Sequence, residues 1–297
     1  MGRTLVAPVS YGLGDLVVSL PAIQALIAER RQVWLVARAT SQRLLAERVA
    51  GLDGVVDEAE LTCDPGDRLI DLRDHPLQRD YWWGSAAFAA EFGPMNINDI
   101  LDRICLDFGI EADFAHPRPL RADLRPDLGR TVVLVHETDG ADKRWPVGHW
   151  TAVASMLRAD GHDVAQVTRQ GSPSPLDAIA IPVVLAPTPG DAVDVLSSCR
   201  AVIGIDTGLT HIAVQQGTPS VTICRPSSVY VRSWPHSAAL RGATCTAECV
   251  EAEASYAYNQ TVSLRHFRPA VRRCPSGSPC LAAVRPEDAV RLLRQLL

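Results

Sequence analysis

A chain of 297 residues, 47% hydrophobic and 21% charged with net charge −5 and mean hydropathy +0.04, is composed like an ordinary globular protein, which excludes a disordered chain, a collagen and a coiled coil. At a prior of about 150 residues per domain, the length points to two domains, each able to bury its own core. The pI near 5.9 gives no general field for polyanions and no basic patch stands out, so nucleic acid is excluded as a partner. The apolar start is interrupted by Gly14, Asp15 and Pro21, and no stretch reaches the roughly 20 uninterrupted apolar residues of a membrane span, so a cytoplasmic protein without an integral span is expected.

In chain order, residues 4 to 10 predict a strand, Tyr11-Gly12-Leu13-Gly14 a turn, and 15 to about 30 a helix with Asp15 at its N-cap. Strands at 32–37, 54–57 and 68–71, and helices at 41–50 and 96–108, continue an α/β plan with parallel strands. The proline-containing stretch from Ala115 to Pro126 ends this unit, with a boundary near residue 125. A second series follows, with strands at 131–136, 163–168, 183–185, 201–205 and 220–224, and helices at 147–159, 191–198 and 209–216. Residues 225–284 read as an irregular excursion before a terminal helix begun by Pro286. The expected domains are therefore 1–125 and 126–297, both Rossmann-like. The first carries 13 arginines against 19 acidic residues, a net −6, and the second is near neutral.

Three loops are suited to chemistry. The run Val202–His211 ends a buried-looking strand and opens a helix, so Thr207, Gly208 and Thr210 fit a phosphate cradle at a helix N-terminus, with Asp206 and His211 beside them. A simple helix cap by Asp206 or Thr207 is the alternative. After the strand at 131–136, Thr138 and the cations Lys143 and Arg144 lie in a glycine-containing loop that can neutralise a diphosphate. Lys143 is the single lysine among 29 basic residues, a compact ammonium where the rest of the chain uses planar guanidinium. In the first unit, Gly12 and Gly14 form a loop that falls short of the dinucleotide fingerprint because Val17 stands at the third glycine position. Asp15 is either a cap or a general base facing the space between domains.

The segments GLGDLVVSLPAIQAL, KRWPVGHWTAVASML, IDTGLTHIAVQQGTPSVTIC and PCLAAVRPEDAVRLL, in this order, resemble glycosyltransferase family 9, the ADP-heptose lipopolysaccharide heptosyltransferases and their relatives. The resemblance implies a GT-B fold with two Rossmann-like domains facing an interdomain cleft, the acceptor on the first and the nucleotide-sugar on the second. It also implies metal-independent inverting transfer that requires no cofactor. Carried over by motif, Asp15 would be the base, Thr138 and Lys143 would meet the donor phosphates, and Asp206, Thr207, Gly208 and His211 would complete the donor pocket. Where family members often place an acidic residue for the nucleoside ribose, this chain has Thr168-Arg169-Gln170-Gly171, so ADP is the first expectation with GDP and UDP open. The acidic first domain favours a neutral or cationic soluble acceptor over an anionic lipopolysaccharide. The alternatives are a lipopolysaccharide core heptosyltransferase, a nucleotide-sugar epimerase, and a non-catalytic sugar-nucleotide-binding protein.

Of eight cysteines, Cys63, Cys105, Cys199 and Cys224 sit in or beside apolar elements, where packing explains them. Cys245, Cys249, Cys274 and Cys280 fall in the irregular region, where a structural zinc or iron ion, a disulfide and plain thiols are the readings weighed. His75 to Trp83, HPLQRDYWW, is either a surface that stacks on an acceptor ring or a packed loop.

Overall fold

The computed structural model describes residues 2–29, 31–81, 83, 86–138, 140, 143–169, 176, 180–232, 234–243 and 279–297. The first part builds a parallel sheet in the order β3-β2-β1-β4 from β1 (Thr4–Ala7), β2 (Val33–Ala37), β3 (Gly54–Asp57) and β4 (Arg68–Asp71). Its helices are α1 (Leu13–Ala28), α2 (Thr40–Ala46), α3 (Pro76–Arg79), α4 (Ala86–Phe92) and α5 (Ile97–Asp107). The second part builds a parallel sheet in the order β10-β9-β8-β5-β6-β7. Its strands are β5 (Thr131–Val135), β6 (Asp163–Thr168), β7 (Val183–Leu185), β8 (Ala201–Ile205), β9 (Ser220–Cys224) and β10 (Ser237–Arg241). Around them lie α6 (Val147–Ala159), α7 (Pro189–Ser198), α8 (Gly208–Gln215), α9 (Pro279–Ala282) and α10 (Pro286–Leu296). Strands β1, β5, β8 and β9 are buried at every position, which is why they read as short continuous apolar runs.

Strand order fixes where each sheet can hold a ligand. In the first sheet the chain moves from β1 to one side, then returns to place β4 on β1's other edge; in the second, β5 and β8 are the neighbours from which the order runs both ways. The crevice beyond the carboxyl ends of the strands at such a reversal is the ligand position of open α/β sheets. The loops after β1, β5 and β8 are the three that the sequence marks out.

Helix α1 corrects one expectation. Its N-cap is Gly12, and Asp15 stands three residues on, its Oδ2 accepting the Gly12 N–H at 2.8 Å. The helix also continues through Pro21. A proline there supplies no N–H to the carbonyl four residues back, that of Val17. That buried carbonyl accepts instead from Arg232 Nη2 at 2.7 Å, a side chain 215 residues away in the other half of the chain. The vacancy that Pro21 leaves in the helix ladder is thus an interdomain hydrogen bond.

The two halves pack directly. Leu16, Leu20 and Ile23 of α1 belong to one buried apolar cluster with Val193 and Leu196 of α7 and Ile212 of α8. Around it, the Gln24 and Gln215 side chains both donate to the Arg118 carbonyl at 3.0 and 2.9 Å, and Arg48 pairs with Asp194 at 2.7 Å. A second cluster lies under β5 and β8, where Trp145 and Trp150 pack against Leu281, Val290 and Leu293 of the C-terminal helices.

Part of the expected irregular region is regular: β10 extends the second sheet beside β9. Its sequence SAALR carries one strongly apolar side chain and has the half-exposed pattern of an edge strand, so apolar periodicity does not reveal it. His75 and Trp83 are packed rather than presented: His75 Nε2 is 2.9 Å from Asp107, and the buried Trp83 donates to the Leu77 carbonyl at 2.7 Å. Trp82 lies outside the described residues. Burial pushes the Cys105, Cys199 and Cys224 thiols up to about 12, as for packed, unreactive cysteines. Cys63 is exposed, contrary to the packing expectation. Cys280 is buried in the second cluster, whereas Cys245, Cys249 and Cys274 lie outside the described residues, and so does any test of a metal site there. No helix among the described residues is long and apolar enough to cross a membrane.

Candidate functional site at the meeting of two helix N-termini

The N-termini of α1 and α8 touch. A Cβ on Gly14 would stand 2.9 Å from His211 Cδ2 and 3.5 Å from Gly208 Cα, and a Cβ on Gly208 would stand 3.0 Å from Leu13 Cβ and 3.1 Å from the Gly14 nitrogen. A Cβ on Gly14 would force the His211 ring to shift and one on Gly208 would crowd Leu13, so both glycines ease this approach. The carboxyl edges of the two sheets therefore converge on one place, bringing Asp15 from the first and Asp206, His211 and Lys143 from the second together. Each helix start adds partial positive charge.

Asp206, at the end of β8, is the hub. Its Oδ1 lies 3.1 Å from His211 Nε2, and its Oδ2 accepts from Lys143 Nζ at 3.3 Å and from Ser228 Oγ at 3.0 Å. Burial pushes this carboxyl up, but the Lys143 charge, the His211 hydrogen bond and charge and the Ser228 hydroxyl outweigh it and hold the group well below the usual carboxylate range. A carboxylate so occupied would repel a diphosphate at close range. Its place in the site is as the anchor that aims Lys143 and His211. Lys143 Nζ is further held by the Asp206 carbonyl at 3.2 Å, yet its side chain remains one-third exposed and can reach a bound anion.

The other second-domain candidates divide. Thr207 is the N-cap of α8 without a side-chain cap bond, so the helix presents N–H groups not closed by its own cap residue. Gly208 opens the helix. Thr210 faces inward: it is fully buried and its hydroxyl donates to the Ile205 carbonyl at 2.7 Å, bracing the strand-to-helix turn. Thr138 Oγ1 accepts from the Gly140 N–H at 3.1 Å, shaping the loop before Lys143. That loop is seated by Trp145, whose indole donates to the Val284 carbonyl at 3.2 Å. Arg169, in the stretch that lacks the ribose-gripping acid, lies beside Glu137 at 3.9 Å.

Asp15 is the first sheet's contribution. Burial raises its carboxyl above the ordinary carboxylate value, opposed by the Gly12 N–H, the Tyr230 hydroxyl and the charges of Lys143 and His211. A carboxyl raised in this way binds a proton more tightly than an ordinary carboxylate, which suits it to taking one. Behind it the strand ends carry ion pairs of both signs. Arg73 binds Asp71 through two bonds of 2.7 Å and reaches Glu58 at 2.9 Å, while Arg38 pairs with Glu58 and lies 4.2 Å from the centre of the Tyr11 ring. Gln42 ties this group to the Asp15 loop by donating to the Ser10 and Gly12 carbonyls at 2.9 and 3.2 Å.

Residues 106–257, just over half of the chain, match the model of glycosyltransferase family 9 (heptosyltransferase). The chain belongs to glycosyltransferase family 9. It is 31% identical over 100 residues to lipooligosaccharide heptosyltransferase 2 of Haemophilus influenzae, a match that spans 30% of this chain and 29% of that relative. Among solved structures it resembles a glycosyl transferase family 9 protein of Veillonella parvula (13% identity, TM-score 0.65, 99% of this chain and 97% of that one). It also resembles E. coli heptosyltransferase WaaC with ADP (14%, 0.64, 99% and 100%). A third neighbour is the iron-containing dodecameric glycosyltransferase TibC from enterotoxigenic E. coli (15%, 0.62, 99% and 76%). At these identities the structural likeness establishes the fold, which is GT-B: two parallel α/β units that meet through helices α1 and α2 of one and α8 and α7 of the other.

Two residues of this family 9 site were absent from the sequence reading, Ser228 and Tyr230. Both follow the carboxyl end of β9, so the same strand-end rule that marks the loops after β1, β5 and β8 applies to them. The absence of periodicity after residue 224 hid them.

Proposed function

We propose that this chain transfers a sugar, a heptose or a close relative, from a nucleoside diphosphate to an acceptor hydroxyl by a single displacement that inverts the anomeric centre. Residues 1–125 act as the acceptor domain and 126–297 as the donor domain. One observation carries the reading: a base-suited carboxylate from one domain and a lysine with an open helix N-terminus from the other face the same junction.

Asp15 takes the proton of the acceptor hydroxyl as its oxygen bonds to the anomeric carbon. The bond from that carbon to the phosphate oxygen breaks, and the electron pair leaves with the nucleoside diphosphate. Lys143 and the N–H groups of Thr207 and Gly208 stabilise the charge that develops there. His211 and Asp206 fix the geometry. In this reading charge on the leaving phosphate is met by the chain's own groups, so transfer proceeds in EDTA. ADP is the first nucleotide to test, in keeping with the ADP-bound neighbour. The net −6 of the acceptor domain supports a neutral or cationic soluble acceptor, and a lipopolysaccharide core acceptor is the second reading, favoured by the curated relative.

The decisive experiment pairs Asp15→Asn with the parent chain. Transfer from an ADP-sugar should fall by about 10²–10⁴-fold, the usual contribution of a general base, while ADP affinity stays within about twofold. Undiminished transfer by the variant removes Asp15 from the mechanism.

A further inference from the structure

Pro21 lies in the segment that carries the family resemblance, yet the proposed mechanism draws only on Asp15 there. Its effect is on the helix. A proline inside α1 withholds an N–H from the carbonyl four residues back and crowds it, which leaves the Val17 carbonyl open close behind Asp15. The group that fills the opening comes from the segment after β9. Arg232 Nη2 donates to the Val17 carbonyl at 2.7 Å, and its Nη1 donates to Oε1 of the buried Gln215, one turn along α8 from His211. One guanidinium thus joins the helix that carries Asp15 to the helix that carries His211.

The guanidinium is itself held in place. Arg232 is 2% exposed and lies 4.5 Å from the centre of the Trp234 ring. The Trp234 indole donates to the Phe114 carbonyl at 2.9 Å, and the Ile97 N–H of α5 donates to the Val229 carbonyl at 2.9 Å, so the segment is fastened to the first domain on both sides of Arg232. No carboxylate among the described residues pairs with Arg232, and its Nε is buried without a hydrogen-bond partner there. Burying a charge against neutral acceptors is a costly route to stability, and an apolar side chain would fill the space at lower cost. What the guanidinium supplies is direction. Leu16, Leu20 and Ile23 pack with Ile212 by non-directional burial, which tolerates sliding and rotation about the contact of Gly14 with Gly208. A planar pair of donors between two acceptors on different helices does not.

We propose that Arg232 is a positioning residue for transfer: by bonding the Val17 carbonyl that Pro21 releases and the Gln215 side chain at the same time, it fixes how α1 sits on α8, and so how the Asp15 carboxylate stands relative to the donor groups. The inference rests on Asp15 being the base and on the donor phosphates lying at the start of α8. Donor binding draws on groups of one domain, Lys143 and the start of α8, and does not need the bond to α1. The transfer step needs the acceptor oxygen, the base and the anomeric carbon in one geometry, and a misplacement of about 1 Å lowers its rate about 100-fold. Loss of Arg232 therefore separates turnover from donor affinity. Pro21 has its part in the same device, because it keeps α1 from closing its own ladder over the carbonyl that the other domain uses.

Arg232→Met removes both donors and leaves a long side chain to fill the space. It should lower kcat about 10- to 100-fold with ADP affinity within about twofold of the parent, and lower Tm by about 3–6 °C because two buried acceptors lose their donors. Adding Pro21→Ala to this variant gives the Val17 carbonyl a helix N–H without restoring the bond between domains. The double variant should recover about 2–4 °C, more than Pro21→Ala changes Tm in the parent chain, and none of the turnover. Arg232→Lys keeps the charge but offers a point donor in place of the fork, so it should show the same split and stays informative if Arg232→Met folds poorly. The setting of the domains is read without any acceptor, by spin-label distances between nitroxide amino acids placed at the exposed positions Leu106 of α5 and Gln295 of α10. The parent chain should give one narrow distribution and each Arg232 variant a distribution at least about twice as wide. An unchanged distribution, or turnover that returns together with Tm in the double variant, overturns the proposal. If the distribution widens while Asp15→Asn in the parent chain still transfers sugar at full rate, the tie between the helices stands and the reading of Asp15 as base fails.

Discussion

Replacing Asp206 by asparagine tests the hub of the site, because it preserves shape while removing the charge that joins Lys143, His211 and Ser228. One oxygen meets His211 Nε2 at 3.1 Å; the other meets Lys143 Nζ at 3.3 Å and Ser228 Oγ at 3.0 Å. An asparagine offers one acceptor and turns its amide hydrogens toward donors on the other side. Breaking a buried ion pair costs about 3–5 kcal/mol. The Lys143 side chain is 32% exposed and keeps its bond to the Asp206 carbonyl, so its ammonium regains hydration. The His211 side chain, 6% exposed, has no such recourse. Discounting the lysine share leaves about 2–4 kcal/mol, a fall in Tm of about 3–6 °C for a chain of this size.

The pH dependence fixes the sign. The Asp206 carboxyl lies below its ordinary value in the folded chain, so the stability it supplies is complete above the unfolded carboxyl value near 3.9 and is lost as the pH falls through the lower folded value. Calorimetric unfolding of the parent chain and Asp206→Asn should therefore differ by a constant gap from about pH 7 to 5, closing progressively below about pH 4. A gap under about 1 °C at pH 7, or one unchanged on going well below pH 4, would refute the claim that this carboxylate is the charged anchor of the site.

Lys143→Ala should weaken ADP about 10- to 100-fold in calorimetric titration, as expected for about 1.5–3 kcal/mol of hydrogen bonding to a charged group, and EDTA should leave both affinities unchanged. Unaltered binding would remove the lysine from the donor site. Gly14→Ala places a methyl 2.9 Å from His211 Cδ2, against a ring held by Asp206 on one side and packed across the domain junction on the other. It should cost about 1–3 kcal/mol in denaturant unfolding, and a neutral result would show that the two helix starts are not in contact in solution. The Asp15→Asn experiment above completes the set.

Much of the fold is legible in the chain because buried parallel strands leave continuous apolar runs. Runs such as TVVLV and AVIGI fix β5 and β8 within a residue, and the loops that follow them contain Lys143 and Asp206. The family resemblance adds Asp15 and the order of the domains. Capping was less legible: Asp15 reads as an N-cap but stands at the third helical position, since its side chain can close the Gly12 N–H from there. Of the two readings of His75–Trp83, packing holds for His75, Leu77 and Trp83, which are buried, while Pro76, Arg79 and Asp80 are exposed; composition does not distinguish an aromatic ring that is covered from one that is presented.

Local elements, strand-end loops and the types of group that could meet a phosphate or take a proton are written in the chain, because they follow from periodicity, chain direction and side-chain chemistry. What those groups do to one another is set by the fold. Lys143 meets Asp206 across 63 positions and Arg232 meets Val17 across 215. Glycines 14 and 208 matter because two helices from different sheets touch there, and Pro21 matters because the carbonyl it releases faces a guanidinium from the other domain. Burial, charge pairing and the direction of the Asp15 and Asp206 shifts arise from that convergence, and no spacing along the chain encodes it.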